Sequence, residues 1–308
     1  MASAVHDPNS RIVDSSLSTT LGHFTIQEEL PGGSIAMVYR AWDARLRRMV
    51  ALKVIRADLA GDSTGWAMLL REARIASRLN HPNICAVYDV GEDSGYPYIA
   101  MEYVEGRTLT AAVRPGGLPI DKTLRLGIQI SEGLAHAHAL KIIHRDIKSN
   151  NVMATPDWQA KILDFGLAQR IVTKDAGKLS SSGLSFGMGG PLAGCLPYLA
   201  PEILHGEVHN IQSDLWALGV LFYEMLTGKL PFAGRTFFET SLLIMTALPP
   251  PLPRSVPANL ANVVSLCLEK DCRKRYKRAQ EIVQELRRLW NLPFTGSRRA
   301  GKRARNCA

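Results

Sequence analysis

The stretch His144-Arg145-Asp146-Ile147-Lys148-Ser149-Asn150-Asn151, followed thirteen residues later by Asp164-Phe165-Gly166, decides how this chain is read. Two acids, a lysine and an amide fall close together in a segment otherwise rich in Ile, Val and Leu. Apolar runs bracket both acids, Leu140 to Ile143 before Asp146 and Ala160 to Leu163 before Asp164. A carboxylate held beside apolar elements can be aimed, whereas one on a polar loop tip usually cannot. Ser149-Asn150-Asn151 is turn material rather than helix. Gly166 permits a sharp change of backbone direction after Asp164.

The spacing carries chemistry. A carboxylate plus an amide oxygen suits Mg²⁺, a hard cation bound through few protein ligands and phosphates. The second carboxylate of the pair could then orient a hydroxyl. Lys148, two residues after Asp146, can neutralise a phosphoryl oxygen.

Upstream, Leu30-Pro31-Gly32-Gly33-Ser34-Ile35-Ala36-Met37-Val38 is a turn-rich segment between strand-like runs and predicts a hairpin. Taken alone it reads as an ordinary turn. Val50-Ala51-Leu52-Lys53-Val54-Ile55 is a near-continuous apolar strand carrying one lysine, which must snorkel or find a partner. Ala67 to Leu79 has helical spacing, with Glu72 inside it and Arg71, Arg74 and Arg78 as neighbours that could equally pair with that acid. Asn80-His81-Pro82-Asn83-Ile84 turns into a further strand. Tyr98 to Gly106 runs from strand into linker.

Downstream, Thr123 to Leu140 is an amphipathic helix. His136 and His138 diverge on it, so they cannot share a metal, and packing or surface roles are expected. Asp164 to Glu202 reads as loop, polar and serine-rich at Ser180 to Ser185, and closes on Ala200-Pro201-Glu202. Ser213 to Val220 carries Asp214-x-Trp216-x-x-Gly219 at the start of a buried helix. Pro249 to Pro257 is a proline-rich connector, followed by helices over Leu260 to Leu268 and Ala279 to Trp290.

In this order and spacing the motifs resemble the protein-kinase signature of the serine/threonine type, over residues 24 to 290. Lys148 favours that type, and the wording around the motifs is similar to bacterial kinases of the eukaryotic-like kind. The resemblance implies an α+β, bilobal fold: a leader over 1–22, an N-lobe over about 23–103 with a β-sheet and helix C, a helical C-lobe over about 104–290, and a basic tail over 291–308. It implies transfer of the γ-phosphoryl group of ATP to Ser or Thr of proteins, with Mg²⁺ and with autophosphorylation within Ser180 to Ser185 or at Thr173. Lys53, paired with Glu72, would grip the phosphates. Asn151 and Asp164 would hold the metal. Asp146 would be the base and Lys148 the charge neutraliser.

By the same resemblance Leu30, Gly33, Val38, Ala51, Met101, Glu102 and Val104 would line the nucleotide site, the backbone of Glu102 to Val104 bonding the adenine edge. Asp214 would hold the catalytic-loop backbone, and Arg275 would pair with Glu202. Aligned on Val38, the family's three loop glycines fall at Pro31, Gly33 and Ala36, so only the middle one matches. Cys195 stands where threonine bridges the catalytic Asp and Lys. These departures keep open an alternative, a pseudokinase or scaffold with little turnover. A small-molecule kinase on the same fold is disfavoured by Glu202, Arg275 and the Asp214 motif.

Composition bounds the rest. The apolar fraction of 46% supports a buried core. No run of eighteen apolar residues occurs, so no membrane span is expected. Five scattered cysteines lack zinc or disulfide spacing and fit a reducing cytoplasm. The net charge of +9 is local: residues 270–308 hold thirteen Lys or Arg against three acids, leaving 24 basic against 25 acidic residues elsewhere. No specific nucleic-acid partner is expected. Protein substrates are, together with a transient homodimer for autophosphorylation.

Overall fold

The N-terminal apolar runs pair into one antiparallel sheet because each has a buried face to cover and a short turn to the next. The computed structural model describes residues 20–31, 36–55, 70, 73–165 and 194–292. The strands are β1 (Thr20–Leu21), β2 (Phe24–Leu30), β3 (Ala36–Asp43), β4 (Arg48–Ile55), β5 (Val87–Asp93) and β6 (Tyr96–Glu102), in the order β1-β2-β3-β4-β6-β5. The first strand corrects the expected leader. Leu21 is 1% exposed and β1 pairs with β2, so ordered chain begins before residue 23.

Register settles what each face carries. Leu30 lies opposite Val38, Val38 opposite Lys53, and Ala51 opposite Met101. Directly opposed residues share a face, as do residues two apart on a strand. Leu30, Val38, Lys53, Ala51 and Met101 therefore line one side of the sheet. The other side buries Tyr39, Ala41, Val50, Leu52, Val54, Tyr98 and Ala100 in a core of its own. On the Lys53 side of the sheet, the helix expected over 67–79 is described at residue 70 and over 73–76, where Ala73 packs on Ile99, the residue opposite Lys53.

The second lobe is helical: α1 (Leu109–Ala112), α2 (Ile120–Ala139), α3 (Pro201–Leu204), α4 (Ile211–Thr227), α5 (Phe237–Thr246), α6 (Ala258–Cys267) and α7 (Ala279–Asn291). A small sheet of β7 (Arg107–Thr108), β8 (Val152–Ala154) and β9 (Ala160–Ile162) falls within the same stretch of sequence. The segment read as loop up to Glu202 is partly ordered: a 3₁₀ turn spans Leu196–Tyr198, and α3 opens with Pro201 at its first turn, where a missing N–H costs nothing.

Helix α4 is the axis of this lobe. Asn210 and Ser213 close a reciprocal capping box at its start, and Gly228 ends it in the left-handed region at φ 71°. Trp216, Leu218, Val220, Leu221, Phe222 and Met225 have no exposed surface. Helix α7 lays Ile282, Val283, Leu286 and Leu289 against the core. Among the described residues no helix is long and apolar enough to cross a membrane.

Candidate active site

Strand β8 is entered from the loop 144–151 and β9 leads out to Asp164, so pairing of the two short strands brings the halves of the motif together. The Leu163 amide donates to the Asn151 carbonyl at 2.8 Å. His144 ties them a second time. Its Nδ1 accepts the Asp146 amide at 3.2 Å, which leaves the proton on Nε2 to donate to the Leu163 carbonyl at 2.9 Å. The ring is fully buried against Phe165, and burial pushes its pKa below the ordinary 6.5, so it stays neutral.

The loop is held from beneath by Asp214 at the start of α4. Its carboxylate accepts the His144 and Arg145 amides, each at 2.8 Å, and His138 Nε2, also at 2.8 Å. Burial works against the charge, but His138 and these amides outweigh it and hold the carboxyl below its ordinary value. This clamp offsets strain: Arg145 at φ 73° and Asp164 at φ 54° lie in the left-handed region, at a cost of about 1–3 kcal/mol each.

Asp146 is fixed on all sides. Its Oδ2 receives Lys148 Nζ at 2.7 Å and Asn151 Nδ2 at 2.7 Å. Asn151 Nδ2 also donates to the Asp146 carbonyl at 2.9 Å. Lys148 continues to Cys195 Sγ at 3.0 Å. Burial opposes the lysine's charge, but Asp146 and the hydrogen bonds hold its pKa above the ordinary value. Across the cleft, Lys53 Nζ lies 2.9 Å from Asp164 Oδ1, with the lysine 5% exposed. The buried ammonium of the apolar strand thus has its partner in the second acid of the motif.

A cation with oxygen preference fits this donor set. Both Nδ2 hydrogen bonds of Asn151 go to Asp146, so the amide oxygen is the atom left for a ligand. Asp164 adds carboxylate oxygen. Among the described residues no group of three His, Cys, Asp or Glu is placed to hold a metal.

Of the expected nucleotide-site residues, Leu30, Val38, Ala51, Lys53 and Met101 share the sheet face established above. Val104 is buried at its edge. Glu102 is more constrained than the sequence suggests. Its amide is spent on the Ala86 carbonyl at 2.9 Å, and its carboxylate on Lys161 at 2.6 Å. Gly33 and Glu72 lie outside the described residues, as do Thr173, Ser180 to Ser185 and the tail beyond Leu292.

Arg275 and Glu202 form a buried bidentate pair, at 2.7 and 2.9 Å, rather than belonging to a solvated charge run. Sequence reading missed three participants. His138 looked like packing, yet it follows Leu134 by one turn on the buried face, and a buried imidazole needs a partner. Tyr198 and Glu224 also went unnoticed. They join each other and Ser149, for which the sequence offers no local signal.

Comparison with known proteins agrees with this geometry. The model of the protein kinase domain matches residues 24–286. Serine/threonine-protein kinase PrkC of Bacillus subtilis is 35% identical over 270 residues, covering 86% of this chain and 40% of PrkC. Serine/threonine-protein kinase PknA of Mycobacterium tuberculosis is 34% identical over 265 residues, covering 84% of this chain and 59% of PknA. The probable serine/threonine-protein kinase SCO3848 of Streptomyces coelicolor is 42% identical over 219 residues, covering 69% of this chain and 31% of that protein. The chain therefore spans well under two thirds of the length of these bacterial relatives. With the match extending over most of its length, the chain belongs to the protein kinase domain family.

Proposed function

We propose that the chain transfers the γ-phosphoryl group of ATP to serine or threonine hydroxyls of proteins, itself included, with Mg²⁺ as cofactor. The observation that carries this reading is the opposed pair of constellations: Asp146 gripped by Lys148 and Asn151 on one side, Lys53 bonded to Asp164 on the other.

Asp146 orients the acceptor hydroxyl and takes its proton at Oδ1, since Oδ2 is occupied by its two neighbours. Lys148 keeps a positive charge beside the carboxylate and offsets charge on the transferring group. Lys53 holds the non-bridging phosphate oxygens, and Asn151 and Asp164 supply the cation's protein ligands. When bound, Mg²⁺ neutralises charge shared by the phosphate oxygens. Catalysis is then positioning and electrostatics in a prebuilt frame. Protein acceptors are favoured by the buried Glu202–Arg275 pair, which fixes α3 beside the 3₁₀ turn as a rigid platform.

Four described cysteines are free, in keeping with a reducing cytoplasm. The test is incubation with γ-labelled ATP and Mg²⁺, alone and with a generic basic protein, followed by mass spectrometry. Label on the chain within Ser180 to Ser185 or at Thr173 is expected. Label on neither protein overturns the reading.

A further inference from the structure

Ser149 stands between the two residues that grip Asp146, Lys148 and Asn151, and is 5% exposed. Its side chain points the other way, to the acceptor platform. Ser149 Oγ lies 3.0 Å from Glu224 Oε1, 3.0 Å from the Tyr198 hydroxyl and 2.7 Å from Thr110 Oγ1. The Ser149 amide reaches the Tyr198 oxygen at 3.4 Å, and the Tyr198 hydroxyl is bonded to Glu224 Oε2.

With Glu224 ionised every hydroxyl proton can be placed, which leaves the 3.0 Å contact between the Ser149 and Tyr198 oxygens without one. Tyr198 donates to Oε2 and Ser149 donates to Oε1. Having spent its proton, Ser149 Oγ accepts from Thr110, and the Tyr198 oxygen accepts from the Ser149 amide. A hydroxyl gives one proton and accepts at its lone pairs, so this ordering uses each group within its capacity. Glu224 reaches into this cluster from α4, Tyr198 from the 3₁₀ turn, Thr110 from α1. Ser149 is the point where all three meet the catalytic loop.

We propose that Ser149 is a positioning residue that fixes the catalytic loop to the acceptor platform by bonding Glu224 Oε1 while Tyr198 bonds Oε2. This rests on the kinase reading above.

The experiment compares wild type with Ser149→Ala, Ser149→Thr, Tyr198→Phe and the Ser149→Ala/Tyr198→Phe double variant. Steady-state kinetics are run well below each melting temperature. Ser149→Ala should lower kcat about tenfold with KM for ATP unchanged, because a misplaced base costs chemistry rather than nucleotide binding. Ser149→Thr, which keeps the hydroxyl, should recover most of the loss. The double variant should be no slower than about the worse single variant, as expected of residues acting as one unit.

Either of two results would overturn the proposal: unchanged kcat in Ser149→Ala, or multiplicative losses in the double variant. If wild type transfers no phosphate, the kinase reading itself has failed. If wild type is active and Ser149→Ala equals it, only the role of Ser149 has.

Discussion

Cys195 sets the strength of the contact that steadies Lys148. Burial, then the Asp146 charge, pushes its thiol up to about 11, so the sulfur is neutral near pH 7 and a weak acceptor for the ammonium 3.0 Å away. A hydroxyl there would make a stronger bond. Cys195→Thr should therefore raise kcat by about two- to tenfold, the equivalent of 0.5–1.5 kcal/mol. Steady-state rates decide it, and an equal or lower kcat would mean that the thiol does not limit the site. The other side chains proposed for catalysis were legible as candidates because they sit in one short motif, so that Asp146, Lys148, Asn151 and Asp164 point to each other. His138, Tyr198 and Glu224 were not. Their roles come from partners 76 residues away for His138, 26 for Tyr198 and 75 for Glu224, and their residue types have many other uses.

Helix α3 shows how an element can depend on a partner outside it. Four residues of α3 cannot hold a helix by themselves, since nucleation is unfavourable at that length. Glu202 in α3 is anchored by Arg275, which is 2% exposed and also bonds the Glu269, Gln212 and Lys270 carbonyls. Arg275→Met should strand a buried carboxylate and cost about 3–5 kcal/mol in urea unfolding. Adding Glu202→Gln to it should recover part of that loss. A single variant as stable as wild type would show the pair to be dispensable. The long helices were readable from their periodicity, because one apolar stripe faces one core. Their ends were less so: α2 starts at Ile120 rather than Thr123, following Pro119, which can precede but not continue a helix. The β1 strand escaped notice because only Leu21 marks it, within a polar leader.

Two lobes with separate cores meet where Lys53 bonds Asp164 beside the loop 144–151, so stability of the whole depends on the titratable groups buried or half-buried around it. His144 is fully buried with its pKa lowered, and those of His81 and His209 are also lowered, each chiefly by burial. Below about 6.5 the unfolded chain binds protons at these rings while the folded chain does not, so stability falls as pH falls from there towards the folded values. For His144 the slope is at most about 1.4 kcal/mol per pH unit. Glu224, raised by burial, works in the opposite sense as its carboxyl protonates, one group against three. Asp214, held low, adds its loss only as pH drops through its folded value, below the ordinary 3.8. The melting temperature should accordingly fall between pH 7.5 and 5.5, as calorimetry can check; a flat profile would mean these rings are protonated in the fold.

The central claim is that Asp146, held by Lys148 and Asn151, is the group that takes the acceptor's proton, while Lys53 and Asp164 on the other side bind the nucleotide. The most direct measurement is phosphate transfer by Asp146→Asn beside wild type, with nucleotide-dependent thermal stabilisation recorded for both. Wild type should transfer phosphate. The variant should lose at least about a hundredfold in kcat yet keep the nucleotide shift. Transfer by Asp146→Asn at the wild-type rate would contradict the assignment. So would a wild type that is stabilised by ATP and Mg²⁺ but transfers nothing, since the same frame would then be a binding module.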